Sequence, residues 1–266
     1  MLVLFSILCY DFIRIFSGGV TVRLNAEKIK SALIFNAEVL VYDVIGSTNE
    51  LAVGLADKTD MPVLVLAEGQ TDGRGRNGKS FYSPDRTGLY FSLLTHPNSD
   101  FYSMNTVTCA AAVAVVRAIE KLTDLNPKIK WVNDIYIDGK KVCGILCRAI
   151  GGNGRVEHLV TGVGINISTE IFPDEIRDTA GALNCAVDKN ILAAEIANNL
   201  IKITDYMDEY REKSCVLGRE IIYYISGVPH SGRAIEIDEN GGLIVFDGKE
   251  KTTLTGGEIT VRFQKT

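Results

Sequence analysis

Gly73-Arg74-Gly75-Arg76-Asn77-Gly78 reads letter for letter as G-x-G-x-x-G, and the reading of that loop decides the fold class. A dinucleotide-binding fold needs such a loop to leave a strand and open directly into a helix. An apolar strand, Pro62 to Ala67, does precede it, but Lys79-Ser80-Phe81-Tyr82-Ser83-Pro84 follows. Proline lacks a backbone donor and biases the residue before it toward extended conformations, which opposes an immediate helix. The loop is therefore a polar, glycine-rich connection spanning Glu68 to Ser80. Its glycines let the backbone approach a ligand closely, and Arg74 and Arg76 offer planar cationic donors suited to phosphate or carboxylate. On composition alone a solvated surface loop is an equal alternative.

Outward from the loop, Leu24 to Phe35 reads as a short helix and Val39 to Val44 as a strand. Ser47-Thr48-Asn49-Glu50 is a turn into a helix, because a Ser or Thr hydroxyl caps the amides that follow. Gly88 to Thr95 is a further strand, and Ser103 to Leu122 is a long Ala/Val-rich helix, apolar nearly all round and so largely buried. Ile129 to Trp131, Ile135 to Ile137 and Val142 to Ile150 read as successive strands, with Asp138-Gly139 as a hairpin turn. Val156 to Ile167 is another strand and Asn190 to Arg211 a helix. Helices and strands do not alternate regularly, so the class is α+β.

After Gly218 short β-patterned segments follow: Glu220 to Ile225, Arg233 to Ile237, Leu243 to Phe246, Lys251 to Leu254 and Glu258 to Phe263. Ser231-Gly232, Asn240-Gly241-Gly242 and Asp247-Gly248 read as the turns between them. This predicts a small all-β barrel of about 50 residues. The expected organisation is residues 1–24 as an extension, 25–215 as the main domain and 216–266 as the barrel.

The chain has 266 residues, 46% hydrophobic and 23% charged, with a formal charge of -5. An acidic chain lacks the basic footprint of a sequence-independent nucleic-acid binder. The six cysteines form no C-x-x-C pair and sit mostly in apolar runs, as reduced thiols of a cytoplasmic protein do. His96, His158 and His230 show no metal-ligand spacing, so no structural metal is expected. MLVLFSILCYDFIRIF opens the chain, but Asp11 and Arg14 interrupt it and no basic region precedes it. It is too short to span a bilayer, and a dispensable extension is expected.

Five segments, in this order, resemble those of the biotin–protein ligase family. They are Ile45-Gly46-Ser47-Thr48-Asn49, Gly69 to Gly78, Lys130-Trp131-Val132-Asn133-Asp134-Ile135-Tyr136, Lys140 to Leu146, and Thr161-Gly162-Val163-Gly164-Ile165-Asn166-Ile167. The resemblance implies a mixed-sheet ligase catalytic domain with flanking helices, followed by an SH3-like barrel. It implies two steps: biotin and MgATP give biotinyl-5′-AMP, and an acceptor lysine of a biotin carboxyl carrier domain then takes the biotin.

By that resemblance Lys141 contacts the biotin carboxyl and the adenylate, although by pattern alone it is an exposed hairpin lysine beside Lys140. Arg76 matches the arginine that holds the adenylate loop closed, and Gly73, Arg74 and Gly75 match its neighbours along biotin. Ser47, Thr48, Asn49 and Gln70 match the lining of the biotin pocket, where hydroxyls and amides suit a ureido ring. Gly144, Gly162 and Gly164 would admit the ligand close to the backbone. Lys130, Asn133, Asp134 and Asn166 are expected near the nucleotide, with Asp134 toward magnesium and Asn133 beside it. Two positions depart from the family pattern: Val132 replaces a common proline, and Phe81 stands where tryptophan stacks on adenine. Some members carry an N-terminal winged-helix DNA-binding domain; residues 1–24 fit none, so neither DNA nor membrane binding is expected. Family members differ in oligomeric state, and a homodimer through sheet edges is one outcome.

Overall fold

The computed structural model describes residues 22–97, 99–100, 103–225, 227–255 and 261–263. Residues 1–21 of the expected extension, and 258–260 of the expected last strand, lie outside them. The elements run α1 (Ala26–Ala32), β1 (Glu38–Ile45), α2 (Thr48–Leu55), β2 (Val63–Gln70), β3 (Gly88–Thr95), β4 (Ser99–Asp100) and α3 (Met104–Leu122). Then come β5 (Lys128–Lys130), β6 (Asp134–Ile137), β7 (Lys140–Ile150), β8 (Arg155–Val156), β9 (His158–Asn166), α4 (Lys189–Lys202) and α5 (Met207–Lys213). The chain closes with β10 (Glu220–Ile225), β11 (Val228–Ile237), β12 (Leu243–Phe246), β13 (Lys251–Leu254) and β14 (Val261–Phe263).

Helix starts follow local chemistry. Asn25, Ser47, Ser103 and Asp188 each accept a hydrogen bond from a first-turn amide of α1, α2, α3 and α4, satisfying a donor the helix itself leaves open. Asp138 and Gly139 both take positive φ (49° and 76°) between β6 and β7, as a two-residue hairpin requires.

Seven strands form a mixed sheet in the order β1-β2-β3-β9-β7-β6-β5, with β1 and β2 parallel and the other neighbours antiparallel. Leu89, Phe91, Leu93, Val163, Ile165, Cys143 and Ile145 share one face and join the core with α3 and α4. Burying each large side chain there contributes roughly 1.5–3 kcal/mol. On the opposite face, residues paired across strands fall into rows: Tyr90–Gly164–Gly144–Asp134, and beside it Ser92–Gly162–Leu146. Glycines thus occupy the centre of that face and leave a depression in it. Five further strands make an antiparallel sheet, β13-β12-β11-β10-β14.

Four expectations are corrected. The first helix is shorter, Ala26–Ala32. The helix expected from Asn190 to Arg211 is two, α4 and α5, parted where Asp205 adopts left-handed backbone (φ 48°). The strand expected from Val156 to Ile167 is interrupted between β8 and β9. Ser231-Gly232 is no turn but lies inside β11, whose turn toward β10 carries Gly227 at φ 80°. Gly232 is needed there for closeness, since a Cβ would fall 2.7 Å from Val245 Cγ1. Among the described residues no helix is long and apolar enough to cross a membrane.

Candidate functional site

The glycine depression is the floor of a cleft of about 320 Å³, walled by the start of α2, the 74–81 loop, the 131–134 turn and the 176–179 segment. A β-bulge brings Lys141 to it. Ile135 pairs with Cys143 but Tyr136 pairs with Lys141, so Val142 is an extra residue on β7. Lys141 and Gly144 are three apart and would face opposite sides of a regular strand; the inserted residue puts them on the same side. Lys141 Nζ then meets Asp134 Oδ1 at 2.6 Å, as an ion pair rather than a well-directed hydrogen bond. Backbone bonds from Lys141 N to Thr179 O (2.8 Å) and from Gly181 N to Lys141 O (2.8 Å) dock the 176–181 segment alongside.

The Gly/Arg loop closes on itself. Gly75 N donates to Lys79 O (2.7 Å) and Phe81 N to Gly73 O (2.8 Å), while Asn77 and Gly78 take positive φ. Its only helical character is the three-residue turn Arg76–Gly78, so no dinucleotide-type helix follows it. Arg76 Nη1 donates to Asn133 Oδ1 at 3.2 Å, and Asn133 Nδ2 donates to Ile145 O at 2.9 Å. The loop is thereby fastened to β7 through Asn133. Burial lowers the Arg76 pKa, and Asp134 nearby works against that shift. Arg74 instead faces Asp72 (2.8 Å) and Glu50 (3.7 Å). Glu50 also receives Arg148 at 2.9 Å.

Phe81 lies over the central glycines. A Cβ on Gly164 would fall 2.5 Å from its Cε1, and one on Gly144 3.1 Å from its Cε2. Asn49 lies likewise over Gly162, whose Cβ would come within 2.7 Å of Asn49 Nδ2. These glycines therefore admit site side chains in this structure, which refines the expectation that they admit ligand.

Of the expected residues, Ser47, Thr48, Asn49, Gln70, Arg74, Gly75, Arg76, Phe81, Lys130, Asn133, Asp134, Lys141, Gly144, Gly162 and Gly164 all line the cleft. Gly73 and Asn166 do not. Gly73 packs behind the loop, where a Cβ would meet Phe81 O at 2.4 Å. Asn166 is buried, and its amide holds Gly181 O at 2.9 Å. Asn133 lines the cleft with both ends of its amide engaged, Oδ1 by Arg76 and Nδ2 by the Ile145 carbonyl. Sequence reasoning missed Ile176, Thr179, Ser92 and Trp131 as lining residues. Trp131 stood in a quoted segment, and its Nε1 donates to Gly241 O (2.9 Å), tying the site turn to the five-stranded sheet. Thr179 carried no motif signal.

Residues 41–166 match the Biotin/lipoate A/B protein ligase family. The bifunctional ligase/repressor BirA of Bacillus subtilis is 30% identical over 242 residues, covering 84% of this chain and 74% of the relative. The chain belongs to this family. The biotin–[acetyl-CoA-carboxylase] ligase of Mycobacterium tuberculosis is 27% identical over 233 residues, covering 80% and 85% of the two chains. Among solved structures, the biotin protein ligase of Aquifex aeolicus in complex with biotin and ATP superposes with a TM-score of 0.73 at 26% identity, covering 85% of this chain and 99% of that one.

Proposed function

We propose that this chain is an ATP-dependent biotin–protein ligase. The observation that carries the reading is the convergence in one cleft of Lys141, Arg76 and Asp134 with the polar Ser47–Asn49 and Gln70 group. The family match and the Aquifex structure with biotin and ATP support it.

In the first step the biotin carboxylate oxygen attacks the α-phosphorus of ATP and pyrophosphate leaves. Two unit charges about 4 Å apart repel by about 4 kcal/mol at an effective dielectric near 20. Lys141 and Arg76 offset that repulsion, and their fixed positions avoid reorganisation during the reaction. In the second step a lysine amine of a biotin carboxyl carrier domain attacks the acyl carbon, loses a proton, and AMP leaves. Arg76, fastened to Asn133, keeps the loop over the mixed anhydride and water away from it. Phe81 offers a stacking face to adenine. Asp134 suits a hydrated magnesium, which takes one or two carboxylates plus phosphate oxygens; magnesium would help neutralise the phosphates.

We read residues 25–215 as the catalytic domain, the five-stranded sheet as the SH3-like module, and the cytoplasm as the location. Transfer of biotin from ATP to a purified carrier domain tests the function. Wild type labels the carrier and Lys141→Ala loses most of that activity. Preference for lipoate over biotin, or no labelling at all, would overturn the reading.

A further inference from the structure

The hydrogen bonds around Gln70 have a single consistent direction. Thr48 N, which can only donate, lies 2.9 Å from Gln70 Oε1, so the amide orientation is settled and Nε2 points the other way. Nε2 donates to Ser83 Oγ at 2.9 Å. Ser83 in turn donates its proton to the Phe81 carbonyl, 2.9 Å away, since a carbonyl only accepts. At the other end Thr48 Oγ1 donates to Gln70 Oε1 at 3.1 Å. Thr48 then has no proton left for Ser92, so the 3.0 Å contact between those hydroxyls has Ser92 as the donor. The relay runs from Ser92 through Thr48 to Gln70 Oε1, and from Gln70 Nε2 through Ser83 to the Phe81 carbonyl.

Of its cleft-lining members, Thr48 Oγ1 keeps a lone pair and Gln70 Nε2 keeps one N–H, while Ser92, which also lines the cleft, has spent its proton and can only accept. An acceptor beside a donor is the complement of a cyclic urea, which presents an N–H next to a C=O. Ser83 and Ser92 are buried, at 5% and 0% exposure, and Ser83 is not part of the cleft lining.

We propose that Ser83 is a positioning residue for the acid substrate: it holds the Gln70 amide so that its remaining N–H faces the ureido group. Ser92 does the same for the Thr48 hydroxyl. This rests on the biotin reading above. Neither serine falls in the five family-like segments: Ser83 reaches Gln70 across 13 residues and Ser92 reaches Thr48 across 44.

The test is a double-mutant cycle on biotin affinity, measured by calorimetry with the full chain, with the KM for ATP as a second readout. A hydrogen bond of ordinary strength corresponds to roughly a tenfold effect. Ser83→Ala is expected to weaken biotin about tenfold in the wild-type background and less than about twofold in a Gln70→Ala background, because coupled groups are not additive. The KM for ATP stays within about twofold. Melting temperature establishes that each variant is folded. If Ser83→Ala does not fold, Ser92→Ala crossed with Thr48→Val gives the equivalent cycle at the other end, with the same expectation. Additive losses, an unchanged biotin affinity, or an equal loss for ATP overturn the positioning role while leaving the ligase reading intact. Failure of the wild type to bind biotin overturns both.

Discussion

Lys189→Met leaves Glu68 charged in the interior without its ion-pair partner. The two side chains are 5% and 3% exposed, and Glu68 Oε1 also accepts from Leu24 N at 2.7 Å. Glu68 sits on β2, two residues before Gln70, so the pair joins the root of the site loop to the start of α4 and to residue 24. Removing one partner of a buried pair costs about 3–5 kcal/mol, because the remaining charge has no solvent to replace it. Against a total stability of roughly 5–15 kcal/mol this is a large loss, on the order of 10 °C in melting temperature for a chain of this size. Urea unfolding, followed by circular dichroism, reads it as a lower midpoint at unchanged slope. Replacing both members, Glu68→Gln with Lys189→Met, removes the stranded charge and should recover most of the loss. A single-mutant cost below about 1 kcal/mol, or a double mutant as unstable as the single, would refute the reasoning.

Gly164→Ala drives a methyl to 2.5 Å from the Phe81 ring; overpacking of that kind costs about 1–3 kcal/mol. Both the stability loss and a raised KM for ATP are expected, and Phe81→Ala in the same chain should relieve the stability loss. Trp131 is the single tryptophan, lines the cleft and bonds to Gly241 O, so its emission should respond to ligand. Gly241 has φ 74°, and an added Cβ would lie 3.0 Å from Asn105 Cβ; Gly241→Ala should therefore cost more than about 1 kcal/mol and shift that emission. Burial pushes the Cys109 thiol from 9.0 up to about 12. The folded state then keeps a proton that the unfolded state has lost, so its stabilising contribution is intact below pH 9 and falls as pH rises toward 12, by about 1.4 kcal/mol per unit. Melting temperature against pH should decline less steeply in Cys109→Ala.

Lys141 shows where legibility ended within the site. Its motif was readable, but its aim was not: an alternating strand would turn it away from Gly144, and only the extra residue at Val142 brings it round. Gly144, Gly162 and Gly164 were readable as places of close approach, whereas what approaches, Phe81 and Asn49, depends on a loop and a helix distant in sequence. Asn166 stood in a recognisable segment yet turns to Gly181, and Thr179, without any motif, reaches the cleft through pairing with Lys141.

What the sequence by itself determined is what short-range chemistry controls. The cap at Ser47, the Asp138-Gly139 turn, the buried Ala/Val helix and the refusal of a helix after the G-x-G-x-x-G loop each rest on hydrogen bonds or sterics within a few residues. Only the tertiary structure decided the strand order, the β-bulge, the break before α5, the strand through Ser231-Gly232, the Glu68–Lys189 pair and the direction of the Gln70 relay. Each joins groups far apart along the chain, where register and loop closure choose among pairings that a one-dimensional pattern leaves open.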